Sequence, residues 1–226
     1  MMSIHLQREI DSLKKKLLAL SALVEEQLRR AVMSVQTRDD LLAGKVIDGD
    51  VEIDHREVEV EEDCLKILAL HQPVAVDLRL IVAVLKINND LERIGDLAVN
   101  IAERSAYLAE RRECEVPAEL SDMVEKAQLM LQNSLNALVN ADPALAHKVC
   151  SDDDEVDDIN RTIYEQIKAD IRDGVNDLDS MIHLLGIARH IERIADLATN
   201  IAEDVIYMVD GEIVRHRTED YRDGKR

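Results

Sequence analysis

The sequence predicts an all-α protein made of two tandem antiparallel three-helix bundles related by internal duplication. Three observations carry that expectation. Hydrophobic residues form 46% of the chain, yet Trp and Phe are absent and only four Tyr occur, so Leu, Ile, Val, Ala and Met must fill the core. Three Pro and seven Gly in 226 residues are too little turn chemistry for a sheet protein. The chain also repeats itself: "ERIGDLAVNIAE" (92–103) and "ERIADLATNIAE" (192–203) agree at ten of twelve positions.

The elements follow from where the helical pattern is interrupted. A first helix over 4–36 stops at "TRDD" (37–40), and a second over 40–71 stops before Pro73. The third, 74–111, carries the first copy of the repeated stretch and ends short of Pro117. A fourth spans 118–140. The fifth, 143–172, opens on Asp142-Pro143, an N-cap followed by an N1 proline whose missing N–H costs nothing. The sixth, 177–209, follows "RDGVND" (172–177) and carries the second copy, and a polar tail begins near Thr218. Connections this short force neighbouring helices antiparallel. A second match, "DDLLAGKVIDGDVEID" (39–54) with "DPALAHKVCSDDDEVD" (142–157), agrees at eight of sixteen positions at an offset of 103 rather than 100. A period near a hundred residues signals a duplicated domain, with expected units 1–113 and 117–217 and a tail at 218–226.

Bulk charge narrows the function classes. A net charge of −19 repels nucleic acid and anionic lipid alike, and the scarcity of aromatic residues removes stacking platforms for single strands. Cys64, Cys114 and Cys150 are odd in number and form no CxxC, as expected of free thiols in a reducing compartment. "MMSIHLQREIDSLKKK" has no apolar signal region. The most apolar run, "PVAVDLRLIVAVLKI", is interrupted by Asp77 and Arg79 and is too short for a bilayer. A soluble cytoplasmic protein is the expectation.

The repeated stretches concentrate carboxylates. Glu92 and Asp96, with Asn100 four further on, recur as Glu192, Asp196 and Asn200; Asp50 and Asp54 recur as Asp153 and Asp157. A spacing of four stacks like charges on one helix face, which costs a few tenths of a kcal/mol. The turns decide which pairs meet. Asp54 with Glu92, and Asp50 with Asp96, are symmetric about Pro73; Asp157 with Glu192, and Asp153 with Asp196, are symmetric about a point beside Gly174. Both sets should sit about 28 Å from their turns. Leu78, Ile81 and Leu85 fall within about 40° of Glu92 on the helical wheel, as Leu178, Met181 and Leu185 do for the second copy, so the acids should continue a packed stripe. Arg79, Lys86 and Arg93 mark the expected solvent face.

Four carboxylates at one height cannot all stay charged unaided; some protonate or cations compensate them. Oxygen donors from Glu, Asp and Asn suit hard cations such as Mg²⁺, Mn²⁺, Ca²⁺ or iron, and admit Zn²⁺. The competing reading is a solvated acidic face bridged by Arg193 to Asp196 and Arg189 to Glu192. Against it, position 89 is Asn, so one bridge is not repeated while the acids are. A ferritin-like di-iron bundle needs two ExxH motifs, but Glu52–His55 is answered only by Glu155–Asp158. His190 falls on an apolar face and reads as a packed side chain. With no P-loop, GxGxxG, nucleophile elbow or HExxH, no constellation for turnover is found and no enzyme is expected.

"GD..ID" (49–54), "QPVAVDLRLI" (72–81) and "DLERIGDLAVNIAER" (90–104), followed by "ARHIERIADLATNIAE" (188–203) and "GEIVRH" (211–216), resemble the PhoU phosphate-signalling family in order over essentially the whole chain. The resemblance implies two three-helix bundles carrying multinuclear metal clusters, commonly iron. Their ligands would be Asp50, Asp54, Glu92 and Asp96, and Asp153, Asp157, Glu192 and Asp196, with Asn100 and Asn200 beside them. It also implies a cytoplasmic, often dimeric, negative regulator of the phosphate-starvation response. Such a regulator couples the ATPase of a phosphate ABC transporter to a membrane sensor histidine kinase. The chain departs from the pattern at Ala195, where the first copy has Gly95, and at "DLDSM" (177–181), which does not repeat "DLRLI".

Overall fold

Six helices account for nearly all of the computed structural model, which describes residues 4–111, 116–174 and 177–214. They are α1 (Ile4–Thr37), α2 (Asp40–His71), α3 (Ala75–Ala109), α4 (Ala118–Asn140), α5 (Pro143–Asp173) and α6 (Leu178–Asp210). Every expected helix is present, with ends within two residues of the expected bounds, and no strand occurs among the described residues. Most of the expected boundary at 113–117, Cys114 and the tail at 218–226 lie outside those residues.

The caps explain the ends. Asp39 accepts from the Leu42 N–H at 3.0 Å and starts α2, while Asp142 accepts from Ala144 and Leu145 and starts α5 on its N1 proline. Gln72 turns left-handed (φ 46°) to close α2 ahead of the buried Pro73. Val74 stays extended (φ −130°, ψ 160°), so α3 begins one residue later than its pattern suggested. Gly174 closes α5 at φ +66°, a conformation that favours glycine.

Helices α1, α2 and α3 pack on one another, α4, α5 and α6 do the same, and α3 lies along α6 to join the two sets. Helices α2 and α5 each bury one narrow stripe; α3 and α6 bury adjacent pairs such as Ile94–Gly95, Leu97–Ala98 and Ile101–Ala102 and their counterparts a hundred residues on. Burial over 91–102 is repeated residue for residue over 191–202, so both copies turn the same face inward.

The α3–α6 seam corrects the expectation that Arg79 and Lys86 face solvent. Only Arg93 is exposed. Lys86 Nζ reaches Asp204 of α6 at 2.9 Å, where the Asp204 side chain is 3% exposed. Arg79 lies beside Gly211 at the end of α6. Further along, Tyr107 stacks on His183 at 3.7 Å, and Arg104 Nε donates to His190 Nε2 at 3.2 Å. Partners step down α6 as they step up α3, so the two helices run antiparallel. The contacts are related by the duplication with their chemistry exchanged. Lys86 on α3 meets short Asp204, and Arg104 on α3 meets Gly186, which leaves room for its guanidinium. His190 is half-buried, and burial first, then Arg104, lowers its pKa to about 4, which keeps it a neutral acceptor.

Candidate metal centre

The two turns bring the acids together as their symmetry requires. Asp50 (α2) feels both Asp54 on its own helix and Asp96 across the hairpin, and Glu92 feels Asp96, Glu57, Asp54 and Asp50. In the second set Asp153 feels Asp196 and Asp157, and Glu192 feels the same two. Because α3 and α6 are antiparallel with Gly95 and Ala195 at matching height, the two clusters lie at one level of the molecule.

Exposure within each cluster is uneven. Asp50, Glu92, Asp153, Asp157 and Glu192 are half-buried, whereas Asp54, Asp96 and Asp196 are exposed. Burial first, then Asp54 and Asp96, raises the Asp50 carboxyl to about 6. Burial, then Asp196 and Asp157, raises Asp153 to about 7. Glu92 and Glu192 are also raised, each by burial first and then by neighbouring acids. Arg189 and Arg193 only oppose the rise at Glu192 from a distance, so the expected bridges to Glu192 and Asp196 do not close among the described residues.

Asn100 does not join the acids. It is exposed and donates to the Asp96 carbonyl of its own helix at 2.8 Å, while Asn200 is exposed at the matching place. Among the described residues no three His, Cys, Asp or Glu side chains converge tightly enough to enclose a metal ion as they stand. One atom nevertheless fits a cation. Asp50 Oδ1 is buried with no hydrogen-bond partner. An unsatisfied carboxylate oxygen facing other acids is what a positive ion would complete. The donor set is all oxygen, which suits a hard cation.

Both mismatches in the twelve-residue repeat fall on this site. Thr199, where the first copy has Val99, donates to Asp153 Oδ1 at 3.4 Å, so the oxygen orphaned on Asp50 has a long partner in the second copy. Gly95 faces Ile53, where a Cβ would stand 3.1 Å from Cδ1 and 3.4 Å from Asp50 Oδ1. The second copy pairs Ala195 with Val156, moving one methyl group across the contact at constant volume. Gly95→Ala and Ile53→Val should therefore be strongly non-additive. Chemical denaturation of both single variants and the double should give about 1 kcal/mol of favourable coupling.

Two participants escaped sequence reasoning. Glu57 continues the Asp50–Asp54 spacing to i+7, pushes on Glu92, and has its own carboxyl raised by burial, Glu61 and Asp54. Asn88 holds it through two 2.9 Å bonds, and the second copy has Asn160 instead. Thr199 is the other, and its signal was to be one of only two departures in the repeat.

Relatives share this architecture throughout. The PhoU domain model matches residues 17–105 and 120–205, once per repeat. The chain is 36% identical over 209 residues to the phosphate-specific transport system accessory protein PhoU homolog 1 of Thermotoga maritima, covering 92% of this chain and 90% of that protein. The crystal structure of PhoU from Pseudomonas aeruginosa superposes at a TM-score of 0.88 with 35% identity, covering 91% of this chain and 99% of that one. The phosphate transport system regulatory protein PhoU from Streptococcus pneumoniae gives 0.87 at 27% identity, covering 92% and 99%. With two domain matches, curated identity along most of its length and the same fold in solved relatives, this chain belongs to the PhoU family.

Proposed function

We propose that this protein is a metal-binding accessory regulator of phosphate uptake that works as an adaptor and not as a catalyst. Its partners are the ATPase of a phosphate importer and a sensor histidine kinase, and two copies pair. The accessory and regulatory role is supported by the relatives' names. The observation that carries the metal reading is the buried, partnerless Asp50 Oδ1 inside a cluster of acids that the duplication repeats.

Asp50, Asp54, Glu92 and Asp96 would hold cations in one hairpin, and Asp153, Asp157, Glu192 and Asp196 in the other. Iron is the metal the family implies. A bound cation would supply charge compensation that ties α2 to α3 and α5 to α6. The protein's own contribution is mechanical: the hairpins set the acids at one height and present fixed outer faces to partners. Leu70, Val74 and Val76, exposed around the α2–α3 turn, offer apolar surface for that purpose. No helix among the described residues is long and apolar enough to cross a membrane.

The rival reading is a metal-free helical scaffold, which the open arrangement of the acids favours. There, protonation of Asp50 and Asp153 would relieve the crowding. Elemental analysis of protein purified without chelator separates the two. The adaptor reading expects bound metal, and expects alanine at Glu92, Asp96, Glu192 and Asp196 together to remove it and to weaken capture of the transporter ATPase at least tenfold. If that quadruple variant changes neither metal content nor capture, the scaffold stands.

A further inference from the structure

An open cleft of about 950 Å³ lies beside the second acid cluster, between α3, α5 and α6. Four arginines line it: Arg104 from α3, Arg161 from α5, and Arg189 and Arg193 from α6. In a chain with 47 acidic and 28 basic residues, arginines have carboxylates in excess to pair with. Arg161 has one, Asp158, at 3.0 Å on the surface. Arg189 and Arg193 make no hydrogen bond or ion pair among the described residues. Arg104 lays its guanidinium over Gly186, where a Cβ would stand 2.4 Å from Cζ. Only its Nε is committed, to His190, which leaves both Nη groups with donors to spare.

This basic character is not a by-product of the duplication. At the positions the duplication relates to these, Asp204 answers Arg104, Val58 answers Arg161, Asn89 answers Arg189 and Asp90 answers His190, and of the four arginines Arg193 alone is matched by another, Arg93. Three of the four arginines therefore have no basic counterpart under the duplication. Guanidiniums that line one cleft can recognise oxyanions bidentately, and the oxygens of a phosphate match their fork. The volume lies within the range of small-molecule sites. Tyr164, 51% exposed, stands on its wall with Ile182 and Leu185 and offers a platform for a planar group.

We propose that the α3–α5–α6 cleft binds a phosphate group, as inorganic phosphate or on a nucleotide, through Arg104, Arg189 and Arg193. Asp157 and Glu192 share the lining. Their carboxylates can accept a hydrogen bond from protonated phosphate but can only repel sulfate, so phosphate is selected. The cleft shares Asp157 and Glu192 with the second acid cluster, but its anion is held by arginines and needs no metal ion.

Isothermal titration of the full chain, stripped of metal with a chelator and dialysed, tests this with sodium phosphate, ATP and sodium sulfate as probes. Phosphate or ATP should bind, sulfate at least tenfold more weakly. Arg189→Ala with Arg193→Ala should lower affinity tenfold or more at unchanged helix content by circular dichroism, and Arg189→Lys with Arg193→Lys should keep part of it. Tighter binding of phosphate than ATP identifies the free ion as ligand, and the reverse order a nucleotide. Absence of binding, equal binding of sulfate, or affinity unchanged in the alanine variant overturns the proposal. Binding that appears only after metal loading and ignores the arginines also overturns it, and assigns the anion to the acid clusters.

Discussion

Asparagine at both Asp50 and Asp153 should raise the melting temperature of the metal-free protein at pH 8 and lower that of the metal-loaded protein. In the folded chain these carboxyls titrate at about 6 and about 7, against an ordinary value of 3.8. Between about pH 4 and 7 the folded state therefore holds protons that the unfolded state has released. Stability falls as pH rises through that window, and the full penalty is present at pH 8. Both residues keep contact with water, so the penalty is discounted to roughly 1–3 kcal/mol in total. Asparagine removes the charge and keeps the shape, which should recover about 2–4 °C per kcal/mol in a chain of this size.

The cation reverses the order. At a hundredfold excess over its dissociation constant, a bound ion stabilises the wild type by about 2.7 kcal/mol per site. The variant, lacking a central carboxylate in each cluster, should gain nothing. Thermal unfolding at pH 8, with chelator and then with Mn²⁺ or Fe²⁺, should show the two proteins exchanging rank. A scaffold without metal would leave the variant ahead under both conditions. A variant that melts lower even with chelator present would mean that the crowded acids carry no cost.

The heights of these acids could be read from the sequence because a helical hairpin has one free parameter, the position of its turn, and Pro73 and Gly174 each fix one. The rotation of α3 was harder. A helical wheel records polarity, and Lys86 is as polar on a buried seam as on a surface. What placed Lys86 inward was Asp204, a single acid more than a hundred residues away, and no periodicity links the two. The same limit hid the cleft. Arg104 belongs to the first repeat and Arg189 to the second, and only the antiparallel seam brings them together. Local spacing did contain Glu57, one turn beyond Asp54, but its counterpart is Asn160, so comparing the copies for identity passed over it. Identity finds what both repeats keep. The two substitutions inside the best-matched stretch, Gly95 to Ala195 and Val99 to Thr199, carry the information on how the two sites differ.

Methionine at Lys86 should cost about 3 kcal/mol, and methionine at Arg104 only about 1 kcal/mol, although the duplication relates the two contacts. The difference lies in what each loses. Lys86 compensates a carboxylate whose side chain is 3% exposed, and a charge left buried after its cation is removed is strongly destabilising. The figure sits at the low end of that range because the Lys86 side chain is itself 37% exposed and Asp204 retains other interactions. Arg104 gives its Nε–H to His190, which stays neutral with its pKa lowered to about 4, so its removal costs one hydrogen bond to an uncharged acceptor. Methionine keeps much of the apolar stem in both cases, which confines the comparison to the polar ends. Leucine at Asp204 in the Lys86→Met background should then restore most of the loss, because a buried ion pair replaced by apolar side chains is often neutral or better. Urea unfolding of the wild type and the three variants, with m-values held equal, measures each step. Equal costs for the two methionines would mean that the seam is held by packing alone and that its exchanged charges set only which face of α3 meets α6.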